Sequence, residues 1–156
     1  MARVKLDLPD TFPFCTTLEI GIGHINYGGH LGNDSALTLV HEARLRFLKS
    51  LGFGELDIAG RGLILTDAVV VYKAEAFWGE TLVAEVAASD FNKYGCDLLY
   101  RFRKQADGRD VLHAKTGVLF FDYAARRPAS VPAIFTEALG LDRGYKSSTS
   151  VENTTD

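Results

Sequence analysis

Between His24 and Asp34 the chain gathers two histidines, two asparagines and an aspartate within eleven residues, HINYGGHLGND. A helix cap needs one such residue, and a loop needs a few, so the surplus calls for chemistry. Histidine is the side chain that titrates near working pH, which makes His30 a candidate base or water-orienting group. Asp34 is the nearest carboxylate, able either to activate water with His30 or to cap the helix that follows. Asn26 cannot remove a proton at neutral pH, but its amide can hold a water or a carbonyl by hydrogen bonds. A helix starting at this point adds free backbone N–H groups and a positive dipole end, which favour a developing negative charge.

The elements that would position these groups are visible in the spacing of apolar residues. Positions 36, 37, 39, 40, 43, 47, 48 and 51 are apolar, which predicts a helix over 34–51 with a broad covered face. Asn33 or Asp34 would cap its start, and Gly52 would stop it. Segments 16–25, 63–76, 80–91, 96–105 and 110–123 alternate at least in part and read as strands. The last four are separated by turn chemistry, FWG, NKYG and ADGR, of which Asp107-Gly108 is the strongest hairpin signal. A short helix follows near 132–139. The expected fold is α+β, one antiparallel sheet of about five strands curled around one long helix.

Composition limits the function classes. The 156 residues are 47% hydrophobic and 24% charged, which suits one domain, read as residues 1–142 with a polar, mobile tail over 143–156. Runs such as AVVVY and GVLFF are too short to span a membrane, and no secretory signal is visible at the N-terminus, so a cytoplasmic protein is expected. A net charge of −3 with scattered Lys and Arg gives no nucleic-acid surface. Cys15 and Cys96 are expected to be free thiols. No cofactor motif occurs, and the two histidines of the opening stretch, six apart with no cysteine near, fit a metal site poorly. His24 and His113 read as structural strand residues.

GGHLGNDSALTLVHEARLRFL resembles the signature of the 4-hydroxybenzoyl-CoA-type acyl-CoA thioesterases, a hotdog-fold family in which Asp-x-x-Gly-His-Val-Asn-Asn leads into a helix carrying Glu-Ala-Arg. Gly29 and His30 fall on the Gly-His, Leu31 on the Val, Asn33 on the second Asn, and Glu42, Ala43 and Arg44 on the Glu-Ala-Arg. VVVYKAEAFWGETLVAEV and RFRKQADGRDVLHAKTGVLFFD resemble the later strands, so the likeness runs from about residue 16 to 135. It implies a hotdog fold, hydrolysis of acyl-CoA without a cofactor, and a homodimer or homotetramer with sites between protomers. It also implies an oxyanion donor at the Asn33 backbone N–H, and CoA contacts near Lys93 and Tyr94, with Lys73, Arg101 and Arg103 as further cations for its phosphates. Two positions depart from the pattern. The family's catalytic Asp is here Asn26, and the first Asn of its Asn-Asn is Gly32. The departure leaves Asp34, His30 and Glu42 as alternative bases, Glu42 being equally suited to an ion pair with Arg46 four residues on. It also opens a second reading, a non-catalytic acyl-thioester binder that kept the fold.

Overall fold

The structure, a computed structural model, describes residues 3–141. Strand β1 (Phe14–Glu19) leads through a 3₁₀ turn at Ile22–His24 to helix α1 (Asn33–Ser50). Strands β2 (Gly62–Tyr72), β3 (Thr81–Ser89), β4 (Gly95–Lys104) and β5 (Asp110–Asp122) follow, then a two-residue strand β6 (Arg127–Pro128) and helix α2 (Ala133–Ala138). The sheet is antiparallel throughout, in the order β1-β3-β4-β5-β2, with β6 on β5. The five main strands and single long helix agree with the expected hotdog architecture. The tail expected over 143–156 lies outside the described residues.

The alternation read from the sequence sets the core. Leu82, Ala84 and Val86 of β3, Leu98, Tyr100 and Phe102 of β4, and Leu112, Ala114, Val118 and Phe120 of β5 form one buried face. Against it α1 lays Ala36, Leu39, Val40, Ala43, Phe47 and Leu48, all buried and spaced to fall on one side of the helix. At 18 residues α1 is about 27 Å long.

Two boundaries differ from the sequence reading. The first strand stops at Glu19, because the Gly21 N–H turns to His24 Nδ1 (2.9 Å) and the chain coils into the 3₁₀ turn. Neither Asn33 nor Asp34 caps α1. The N-cap is Gly32, with no side-chain cap bond, and the Asn33 side chain instead accepts from the adjacent Asp34 N–H (3.0 Å). Gly52 ends the helix as expected. Its φ of +87° suits glycine, and the Gly52 and Phe53 N–H groups close on the Lys49 and Leu48 carbonyls (3.0 and 2.9 Å), a Schellman arrangement.

Cys15 is exposed on β1 and Cys96 is buried on β4, both free. Burial, with Asp97 adding to it, pushes the Cys96 thiol up to about 12, so it packs as an inert apolar group.

A charge is buried between α1 and the sheet. Arg44 is 4% exposed and donates to Glu55 and to the buried Tyr100 hydroxyl (3.5 Å), which shares a hydrogen with Thr116 Oγ1 (2.8 Å). His41 meets the other oxygen of Glu55 (3.0 Å). Burial raises the Glu55 pKa, but the bonds from Arg44 and His41 outweigh it and hold the carboxyl below its ordinary 4.5.

Two measurements follow from this network. Arg44→Ala should lower unfolding stability by about 3–5 kcal/mol, because it strands buried partners, whereas Glu42→Ala, which breaks only an exposed pair, should cost less than ~1 kcal/mol. A depressed folded pKa means that Glu55 stabilises the fold above its unfolded value and loses that contribution as pH falls through the folded one. Urea titrations should therefore show Glu55→Gln well below the native protein in stability at pH 7, with the gap closing below pH 4.5.

Candidate active site

The polar stretch folds into a compact loop between β1 and α1. The Asn26 N–H donates to the His30 carbonyl (3.0 Å), and the Gly29 N–H to the Asn26 carbonyl (3.0 Å). Gly29 takes a φ of +82°, which its lack of Cβ permits. The Asn26 side-chain oxygen accepts from the Gly28 N–H (2.9 Å), an Asx turn that leaves the amide NH₂ as its available donor. A Cβ on Gly28 would lie 3.1 Å from His30 Nε2 and 3.2 Å from Asn26 Oδ1, so a side chain at this position would crowd both groups.

The ends of the loop are tied to the sheet and the helix. The Leu31 N–H donates to the Ala76 carbonyl (2.8 Å) and the Gly32 N–H to the His24 carbonyl (2.9 Å). His30 Nδ1 lies 3.3 Å from the Leu31 carbonyl oxygen. A hydrogen on Nδ1 suits that contact and makes Nε2 the acceptor of the neutral ring. Tyr72, the last residue of β2, donates from its hydroxyl to the Asn33 carbonyl (2.9 Å) and so fixes the first turn of α1 against the sheet. Burial and the negative charge of Asp34 raise the Tyr72 pKa, which keeps the phenol protonated for that bond.

These groups surround a cavity of about 370 Å³ lined by Asn26, His30, Asn33 and Tyr72, by Lys73 and Glu75 beyond β2, and by apolar Leu31 and Leu112. The arrangement offers an imidazole nitrogen, an amide donor and a helix start around one partly apolar volume. That is suited to a carbonyl which gains negative charge under attack by water.

Of the residues read from the sequence, Asn26, His30 and Asn33 come together here. Asp34 does not line the cavity. It is exposed on the first turn, with Oδ1 only 2.7 Å from where a Gly32 Cβ would sit, and it reaches Tyr72 through its charge. Glu42 points to the other side of α1, nine residues and about half a turn in phase from Asn33. There it pairs with Arg46 (2.9 Å), which also holds Thr16 Oγ1 and the Thr17 carbonyl of β1 (3.0 and 2.8 Å).

Lys93 and Tyr94 stack on each other in the β3–β4 turn (5.2 Å). Gly95 is paired with Leu119, seven residues along β5 from the cavity residue Leu112, which is about 23 Å at strand rise. Within one chain the two sets lie at opposite ends of the sheet. Arg101 and Arg103 are paired to Glu85 (3.0 and 2.7 Å) on the face of the sheet away from α1. His113, read as structural, holds Asp110 (2.6 Å).

Sequence reasoning missed Tyr72 and Glu75. The alternation of β2 carried a signal for Tyr72, since it is in phase with Ala68 and Val70, but nothing local marks Glu75.

A family model described as the thioesterase-like superfamily matches residues 20–139. No curated protein sequence matches the chain. Among solved structures, the chain is similar to a 1,4-dihydroxy-2-naphthoyl-CoA thioesterase from Synechocystis, with a TM-score of 0.75 at 18% identity over 81% of this chain and 95% of that one. A DHNA-CoA thioesterase from Staphylococcus aureus gives 0.72 at 19% identity over 81% and 87%. A gentisyl-coenzyme A thioesterase gives 0.71 at 18% over 81% and 99%. At such identities the likeness is one of fold, while the family match spans loop, helix and sheet together. The chain belongs to the thioesterase-like superfamily and has its hotdog fold.

Proposed function

We propose that the protein is an acyl-CoA thioesterase, which cleaves the C–S bond of an acyl thioester with water to release a free acid and CoA. The observation that carries this reading is the single cavity shared by His30, Asn26 and the start of α1 at Asn33. The thioester carbonyl sits with its oxygen at the Asn33 N–H, where the positive end of α1 stabilises the oxyanion. Asn26 holds the water or the carbonyl through its amide NH₂. His30 Nε2 takes the proton of the attacking water and returns it to the departing thiolate. A carboxylate that steadies the resulting imidazolium comes from Asp34, on the first turn of the helix, or from Glu75, the carboxylate on the cavity wall. Glu42 serves only if a neighbouring copy brings it to the site.

Hydrolysis of a panel of acyl-CoAs, read as released thiol, tests the assignment. His30→Ala should lower the catalysed rate by ~10²–10⁴, the usual worth of a general base. Asp34→Asn should change stability by at most ~1 kcal/mol, the worth of an acidic side chain on a first helical turn. If Asp34 assists the base, the same variant also loses ~10²-fold or more in rate. Native turnover in Asp34→Asn together with a loss in Glu75→Gln transfers the role to Glu75. A protein that binds acyl-CoA without hydrolysing any member of the panel is the non-catalytic binder, the reading that the Asn at position 26 favours.

The active unit is a homodimer or a homotetramer of this chain. Strand β2 is a sheet edge of 11 residues, and on it Leu65 and Tyr72 are 47% and 54% exposed. An uncovered apolar strip along an open edge is relieved by a second copy. Light scattering at micromolar concentration should report at least a dimer. Leu65→Lys should shift it toward monomer, and a native protein that is monomeric under those conditions would reject the shared site.

A further inference from the structure

A second cavity, of about 350 Å³, lies on the opposite face of the same sheet edge. Its walls are Val71 and Lys73 at the end of β2, His113 of β5, and Val4, Lys5, Leu6 and Asp7 of the N-terminal segment, which crosses the outer face of the sheet as a strap. Farther along, the strap is held by Phe12, whose ring lies 4.9 Å from the Arg101 guanidinium. Lys73 lines both this cavity and the reaction cavity. Between them the chain beyond β2 is pinned at one point, with the Lys73 and Ala74 N–H groups both on the Val111 carbonyl (2.8 and 3.2 Å).

The chain carries a net −3, and Lys104, Lys115, Arg44, Arg46, Arg61, Arg101 and Arg103 are all engaged in ion pairs. Lys5 and Lys73 have no ion-pair partner among the described residues. Against their two charges the cavity wall sets one carboxylate, Asp7, since Asp110 is already held by His113 (2.6 Å). Two lysines against one carboxylate leave the cavity wall a net positive charge that suits an anion, and lysine meets phosphate as a point charge without needing a fixed fork.

We propose that the strap cavity, through Lys5 and Lys73, holds the phosphate-bearing end of a pantetheine thioester whose carbonyl occupies the reaction cavity. Lys73 stands where the pantetheine arm rounds the sheet edge, and Lys5 receives the phosphate beneath the strap. The assignment rests on the thioesterase reading of the first cavity, and it places the anion contacts away from Lys93 and Tyr94. The phosphate comes from CoA or from the phosphopantetheine arm of a carrier protein, two sources with one chemistry.

Calorimetric titration with CoA, 4′-phosphopantetheine and pantetheine tests the site whether or not the protein turns over. The native protein should bind CoA at least about tenfold more tightly than pantetheine, the worth of one charge-assisted contact. Lys5→Ala and Lys73→Ala should each remove most of that advantage, and Lys5→Arg should keep it. Lys49→Ala, which deletes an exposed lysine on α1, should leave all three affinities as they are. Equal affinity of 4′-phosphopantetheine and CoA assigns the site to the single phosphate that both sources carry, and a preference for CoA assigns it to the nucleotide. Lysine variants that retain the full preference for CoA, or a native protein with no preference over pantetheine, overturn the proposal. Thiol release measured in parallel separates the two readings. Hydrolysis with no lysine effect rejects the strap site alone, and a lysine effect without hydrolysis rejects the enzyme reading alone.

Discussion

Arg44 carries a full charge into the seam between α1 and the sheet, and that charge has to be met at one place. Burying an unpaired guanidinium costs several kcal/mol, so the helix settles only where Glu55 and the Tyr100 hydroxyl can reach it. An apolar helix face against an apolar sheet tolerates small slides and rotations, because dispersion contacts are individually weak and interchangeable. The Arg44 contacts remove that tolerance. They tie the middle of α1 to β4 through Tyr100 and to β5 through Thr116, and to the loop after the helix through Glu55.

The position of the helix start follows from that tie. A rigid helix held at Arg44 delivers its first turn some eleven residues away, about 16 Å at 1.5 Å per residue, to the end of β2. There the Tyr72 hydroxyl takes the Asn33 carbonyl and the Leu31 N–H takes the Ala76 carbonyl. The reaction cavity is the space enclosed by these closures. Its polar residues come from one short loop, but its walls come from β2, β5 and the connection after β2. The shape of this cavity thus depends on a core contact that does not line it.

The missing cap has the same logic. Asparagine or aspartate at the start of a helix ordinarily turns its oxygen onto the first backbone N–H groups. Here Gly32 occupies the N-cap, where it has no side chain to offer and where an added Cβ would strike Asp34 Oδ1 at 2.7 Å. The Asn33 side chain meets only the Asp34 N–H, and Gly32 supplies no side-chain cap bond to the helix start. An open start is useful only to a ligand that brings negative charge to it.

Much of the architecture was legible in the residues alone. The period of α1, the alternation of the later strands and the Asp107-Gly108 turn are local patterns, and local patterns survive without knowledge of the fold. Asn26, His30 and Asn33 were legible as a group for the same reason, since one loop holds them together. Glu42 and Asp34 looked equivalent to them by spacing, yet the rotation of α1 turns Glu42 toward Arg46 and β1 and leaves Asp34 on the rim. Lys93 and Tyr94 were read as CoA contacts by family likeness, and within one chain the strand direction sets them at the other end of the sheet from the cavity. Glu75 and the sharing of one cavity wall by Lys5 and Lys73 were decided by tertiary structure alone. They depend on β2 leaving its sequence neighbour β3 to pair with β5 at the sheet edge, and on the strap crossing behind it. Strand order is chosen by the global burial of the helix and the closing of long loops, and no short stretch of sequence records that choice.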